Sequence, residues 1–252
     1  MAINRLYPPI IAGTIPSFYT TNTGTSLEVP FSMNVTVSNA AVKGMRLRLK
    51  TTSTDIVIAN VVSQKYGDDA VNRSVIYELD NDIVAKLVVG NFYKVQLAYI
   101  DQSDNDGYYS TVAIVKYTAE PTIGIADLNM QSLTAISANT LIGTYANSDA
   151  SEKAYQYRFV FTNLSGIVLQ DTGWLVHNIQ TNTSLDRSQD ECLIAFNLTE
   201  GQTYRGQYSV ITNNGLILHS VNYEIVKSSV TVGSLDVYLS TTVDNDNARV
   251  II

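Results

Sequence analysis

By type and spacing, the residues best suited to chemistry are the run Asp101-Gln-Ser-Asp-Asn-Asp-Gly107, the histidines His177 and His219, the lone Cys192, and an aromatic set of 16 tyrosines with Trp174. Three aspartates and an asparagine ahead of a glycine could offer oxygen ligands to calcium. An EF-hand loop wants Asp first, acid or amide two and four residues on, then Gly, and a bidentate glutamate at its end. Counting back from Gly107 puts Gln102 first and Ala113 at the glutamate position. Helix-forming flanks are missing as well, so the run reads as a solvated hairpin turn, somewhat lengthened. Nucleophilic catalysis would have to use Cys192, which opens the apolar strand Cys192-Leu-Ile-Ala-Phe196, where a thiol packs as a small hydrophobe. His219 lies in an alternating strand and is expected at the surface or across from a neighbouring strand. Two histidines without an acidic partner at metal spacing do not make a zinc site. No catalytic, cofactor-binding or metal-binding residue is assigned. The tyrosines and Trp174 could form a stacking platform for a sugar, but most are expected to be structural. Trp174 follows the turn-like Asp171-Thr-Gly173 and is placed at a domain edge. The Asn-x-Ser/Thr sequons at Asn34, Asn72, Asn163, Asn182 and Asn197 read as chance in a chain rich in Asn and Thr.

The elements that must position these residues follow from the bulk of the chain. Its 252 residues, 45% of them hydrophobic, suffice for one large domain or two ordinary ones. With a net charge of −7 there is no obvious source for the phosphate attraction that drives nucleic-acid binding. Met1 to Ile11 holds no apolar run long enough for a signal peptide, and nothing later approaches a membrane span, so synthesis inside a cell and no membrane partner are expected. One cysteine makes no intrachain disulfide, so stability must come from burial and backbone pairing.

Apolar residues recur at every second position, as in Met45, Leu47 and Leu49, or Val95 and Leu97, or Ile167 and Leu169. This is the period of half-buried strands. Between them stand Thr-Asn-Thr-Gly, Tyr-Gly-Asp-Asp, Asn-Leu-Ser-Gly and Thr-Asn-Asn-Gly, which supply turn chemistry. Asp80 to Val89 is the exception: an Asp cap with Ile83, Val84, Leu87 and Val88 on one face predicts a short helix or a strand.

Laid over itself at an offset of about 110 residues, the chain repeats. Leu87, Gly90, Tyr93 and Gln96 match Leu198, Gly201, Tyr204 and Gln207. Ile114-Val-Lys116 lies over Ile225-Val-Lys227, Met45–Leu49 over Tyr157–Phe161, and Ile56–Ile58 over Ile167–Leu169. Asp101 to Gly107 then corresponds to Thr212-Asn-Asn-Gly215, a plain Asn-Gly hairpin.

The pattern Leu-x-x-Gly-x-x-Tyr, followed by alternating residues, a Gly-bearing hairpin and a final strand, resembles the C-terminal half of fibronectin type III domains. The resemblance implies a tyrosine corner at Tyr93 and Tyr204, whose rings pack inside while the hydroxyls bond the backbone upstream. Leu87 and Leu198 would be core residues, and Gly90 and Gly201 would make the bend. The Trp usual in the second strand is absent, with Phe31 and Tyr145 the nearest substitutes. The expected fold is all-β, as tandem Ig-like/fibronectin type III-like β-sandwiches: residues 1–118 with an N-terminal extended segment, residues 119–228, and residues 229–252 as the first strands of a third, incomplete sandwich. A junction at Glu120-Pro121 suits a residue that cannot donate to a ladder. Tyr7-Pro-Pro-Ile-Ile11 is expected to lie extended against a neighbour or its own sheet edge.

The opening Met1 to Tyr19, followed directly by Ig-like repeats, resembles the N-termini of structural proteins from tailed bacteriophages, in tail, baseplate or fibre. That resemblance implies a non-enzymatic virion component, assembled in the host cytoplasm. Its implied partners are other virion proteins, further copies of itself as a homo-oligomer, and a host surface glycan. The alternative is a bacterial cell-surface adhesin or a carbohydrate-binding β-sandwich protein. The matches of Thr231-Val-Gly233 to Thr122-Ile-Gly124 and of Val250-Ile251 to Leu141-Ile142 lead to the expectation that the native polypeptide continues beyond Ile252, or else completes a sheet with a partner.

Overall fold

The computed structural model describes residues 6–34, 37, 41–63, 73–130, 139–177, 189–194, 199 and 201–226. The first part of the chain supplies β1 (Ile10–Ile11), β2 (Thr20–Thr21), β3 (Gly24–Ser32), β4 (Val42–Thr51), β5 (Val57–Ser63), β6 (Arg73–Leu79), a one-turn helix α1 (Asn81–Val84), β7 (Phe92–Asp101) and β8 (Ala113–Lys116). The second supplies β9 (Thr122–Met130), β10 (Asn139–Ala146), β11 (Ala154–Asn163), β12 (Val168–Asp171), β13 (Leu175–Val176), β14 (Gln189–Ile194), β15 (Thr203–Thr212), β16 (Ile217–His219) and β17 (Tyr223–Val226).

Both parts are wound alike. In the first, β3 is flanked by β6 on one side and by the split edge β1 and β2 on the other, while β5, β4, β7 and β8 form the facing sheet. In the second, β14, β10 and β9 face a sheet built on β12, β11 and β15, with β17 beyond. The molecule is thus all-β, as tandem sandwiches. Alternation produces the burial. In β3, Thr25, Leu27, Val29 and Phe31 point inward and their neighbours outward. Leu27, Val29, Leu47, Leu49, Val75, Val95 and Leu97 are almost wholly buried in the first core. Each such side chain is worth roughly 1.5–3 kcal/mol by transfer. Phe31 stands in that core, and Tyr145 packs against the second, where the substitutes for the missing Trp were expected.

The tyrosine corner is present twice. The Tyr93 hydroxyl accepts from the Val88 N–H at 2.7 Å, and the Tyr204 hydroxyl from the Thr199 N–H at 2.9 Å. Gly90 and Gly201 take φ of +87° and +74°, which only a residue without Cβ adopts cheaply. Leu87 packs at the core edge; Leu198 lies outside the described residues, as do Asn72, Asn182, Asn197 and the whole of 229–252. A second device is shared by both sandwiches. Ser110 and Ser220 each clamp the strand beside them, Ser110 Oγ accepting from Leu97 N–H and Ser220 Oγ from Tyr208 N–H, both at 3.0 Å. Gln96 and Gln207 each donate to the carbonyl of the same serine.

Asp80 caps a single helical turn, its carboxylate accepting from Ile83 N–H at 2.8 Å. Ile83, Val84 and Leu87 lean on the core, whereas Val88 is exposed because the chain has already left the helix to reach the corner. The match of Ile114 with Ile225 needs correction. Val115 faces Tyr93, and Ile225 faces Tyr204, so Val115 is the partner in register and Lys116 corresponds to Val226. The first copy holds one residue more between its turn and its serine, which shifts the last strand by one. Ile10 and Ile11 pair with Ser32 and Phe31, placing the N-terminal segment on its own sheet edge.

Candidate functional site

The acidic run is a turn with the geometry of its counterpart. Asp101 N–H donates to Asn105 O, and Asp104 N–H to Asp101 O; Thr212 N–H donates to Leu216 O, and Gly215 N–H to Thr212 O. Asp101 Oδ1 accepts from Asn105 N–H as Thr212 Oγ1 accepts from Leu216 N–H. These donors hold the Asp101 carboxyl below its usual range, the Asn105 N–H first among them. Glycine does different work in the two turns. Asp104, at φ +65°, takes the left-handed position that Gly215 fills at +79°, whereas Gly107 serves a close approach: a Cβ there would stand 2.8 Å from Leu6 O. Neither Asn213 nor Asn214 has positive φ, so the second turn is not the mirror-image Asn-Gly type. The remaining carboxylates are occupied, Asp104 by Lys43 and Asp106 by Arg46.

Among the described residues, a cluster of buried charge lies where the two sandwiches meet. Lys116, 2% exposed, ends β8 and reaches across to the loop between β10 and β11. Its ammonium sits 2.8 Å from Asp149 Oδ2, 3.2 Å from Glu152 Oε2 and 2.7 Å from Ser151 Oγ. Glu152, also 2% exposed, accepts further hydrogen bonds from Ser17, Thr212 and Asn214. Ser17 N–H donates to Asn214 O at 3.2 Å, and Asn147 binds Ala119 O at 3.1 Å. Asn213 clasps the loop to the β15–β16 turn by exchanging bonds with Lys153 and Ser151. Burial opposes the Asp149 charge, but Lys116 and the Ser151 donors outweigh it and hold the carboxyl at about 2. Each buried side-chain nitrogen and oxygen of the cluster thus has at least one partner, the condition under which a buried ion pair is tolerated.

The second polar centre is inside the second sandwich. His177 Nδ1 meets Asp190 Oδ1, and the Tyr208 hydroxyl donates to Asp190 Oδ2, both at 2.5 Å. His177 thus has an acidic partner that no metal-ligand spacing in the sequence indicates, because β14 brings Asp190 beneath the segment after β13. All three groups are more than nine-tenths buried, so they act on the packing of this sandwich rather than on a solute. Room for the Tyr208 ring comes from Gly143, where a Cβ would lie 2.4 Å from the ring. Cys192 is buried nearby, and burial pushes its thiol up, the direction opposite to activation. His219 stands across from Ser209, bonded at 2.8 Å, as expected of a cross-strand residue. Trp174 lies between β12 and β13 at the edge of its sandwich, about one third exposed.

No family model matches the chain, and no curated protein matches it in sequence. Among solved structures, the FN1–FN3 domains of chicken CNTN1 are 11% identical over 88% of this chain, at a TM-score of 0.44, and the match covers 65% of that longer chain. Fibronectin(III)-like modules of Clostridium thermocellum CbhA are 12% identical over 86% of this chain and 93% of theirs, at 0.34. A run of domains from titin is 12% identical over 88% of this chain and 67% of that one, at 0.27. The neighbours are tandem fibronectin type III-like and Ig-like domains, and the fold itself rests on the strand order above.

Proposed function

We propose that the chain is a non-enzymatic structural component of a tailed-bacteriophage virion, in tail, baseplate or fibre, assembled in the host cytoplasm. Its modules, 1–118 and 119–228 with a third beginning at 229, act as rigid spacers and as docking surfaces for other virion proteins and for further copies of itself. The observation that carries this reading is the junction around Lys116 and Glu152. Domains joined by a short linker move relative to each other unless their interface prevents it. Here the interface is a buried ionic cluster in which Lys116 and Ser17 of the first sandwich meet Asp149, Ser151 and Glu152 of the second through several short directional contacts at once, a set that only one relative angle satisfies. A spacer needs that property, and a flexible binding module does not. The apolar edge of the second sandwich, where Ile167, Val168 and Val176 are exposed, suits a surface covered on assembly.

The alternative of a surface adhesin or carbohydrate-binding protein draws on one feature, the cavity between β4 and the turn after β7 beside Arg48. Quantitative mass spectrometry of purified particles separates the two. The virion reading expects the chain in fixed stoichiometry with tail or baseplate proteins. Recovery from the host-cell envelope and not from particles would overturn it.

A further inference from the structure

Four arginines lie on the outer faces of β4, β11 and β15, and three of them are bound to carboxylates: Arg46 to Asp106, Arg158 to Asp171 and Arg205 to Glu224. Arg48 is the exception. Its guanidinium lies 3.6 Å from the centroid of the Tyr109 ring, and its buried Nε has no acceptor among the described residues. It borders a cavity of about 500 Å³ formed by β4 and the turn after β7. The carboxylates in that lining are already neutralised. Asp104 is held by Lys43, and Asp106 by Arg46 and the Tyr109 hydroxyl. Arg48 is the surplus cation.

We propose that this cavity binds the carboxylate of an acidic saccharide, with Arg48 as the recognising group. A guanidinium stacked on an aromatic ring is planar, weakly hydrated and already oriented, which is what bidentate capture of a carboxylate needs. The volume suits one or two sugar rings. Tyr108, 54% exposed, and Asn105, whose amide nitrogen donates to Asp101, complete the polar and aromatic lining beside Arg48. The repeat provides an internal control. Arg48 faces Gln96 across the sheet as Val160 faces Gln207, so the second sandwich has a valine where the first has its anchor. The inference does not depend on the virion reading, since a particle and an adhesin could each carry such a site.

The test is an NMR titration of the full chain, following the arginine Nε–Hε resonances, with methyl glucuronide, methyl glucoside, acetate and inorganic phosphate as separate probes. Glucuronide is expected to shift Arg48 and the amides of Asn105 and Tyr109, with glucoside, acetate and phosphate each at least about tenfold weaker. Arg48→Gln should weaken glucuronide at least about tenfold while second-sandwich amides keep their positions, and Arg48→Lys should restore little, because an ammonium lacks the fork. No shift at Arg48, undiminished binding by Arg48→Gln, or acetate or phosphate binding as tightly as glucuronide would each overturn the proposal.

Discussion

The two sandwiches share corner, clamp and strand order but differ at their centres. In the first, Val29 faces Val75 across β3 and β6, with Leu97 opposite in β7. At the corresponding places in the second stand Gly143, Asp190 and Tyr208. One core is apolar at its middle; the other has replaced three side chains together with a glycine, a phenol and a carboxylate, and added His177. The replacements make sense as a set, since the glycine makes room for the ring, the ring carries the hydroxyl, and the hydroxyl meets the acid. A polar group survives in a core when its bonds are made there, and costs stability when they are not. The first sandwich shows the other side of that rule. The Tyr77 hydroxyl is buried and has no partner among the described residues, and its burial pushes its pKa far up; the second sandwich carries a smaller debt of the same kind, since His177 meets Asp190 through Nδ1 while its buried Nε2 has no partner among the described residues.

The largest effect should come from Asp190→Ala, which strands both His177 and the Tyr208 hydroxyl. We expect the second sandwich to lose about 3–5 kcal/mol in urea unfolding and the first core to keep its own hydrogen-exchange protection. Equal losses in both would break the comparison. Removing one hydroxyl from each core should give opposite signs. Tyr208→Phe costs about 1–3 kcal/mol because Asp190 loses a donor, while Tyr77→Phe is neutral or stabilises by up to about 1 kcal/mol, both read from denaturation midpoints. The smallest effect belongs to the turns. Asp104→Gly relieves a left-handed residue and gives up an exposed ion pair with Lys43, so the two nearly offset, with a net gain of no more than about 1 kcal/mol in thermal unfolding.

Acid should act on the junction before it acts on the cores. The Asp149 carboxyl is held at about 2, below its unfolded value, so its contribution is complete above about pH 4 and is lost as pH falls through about 2. Between those limits the sandwiches should separate in small-angle scattering while their strand signal in circular dichroism persists.

The repeat, the corners and the turns were legible in the sequence because each is local: a Tyr three residues after a Gly, a strand of alternating side chains, an Asn-rich hairpin. The extra residue ahead of Ser110 was legible as a lengthened turn, but its effect on the register of β8 was not, since register is settled by pairing with β7. The junction was not legible at all. Lys116, Glu152 and Thr212 come from three separate elements, and each alone reads as an ordinary surface residue. Asp190 escaped for the same reason, as its partners His177 and Tyr208 are met only when β14 and β15 face each other.

The central claim is that a buried ionic hub fixes the two sandwiches at one angle. Residual dipolar couplings, measured on both in weakly aligned solution, test it most directly. A rigid junction predicts one alignment tensor of the same magnitude and orientation for both sandwiches at neutral pH, and two different magnitudes in Lys116→Met. Different magnitudes in the unaltered chain, or a shared tensor that Lys116→Met leaves unchanged, would contradict it.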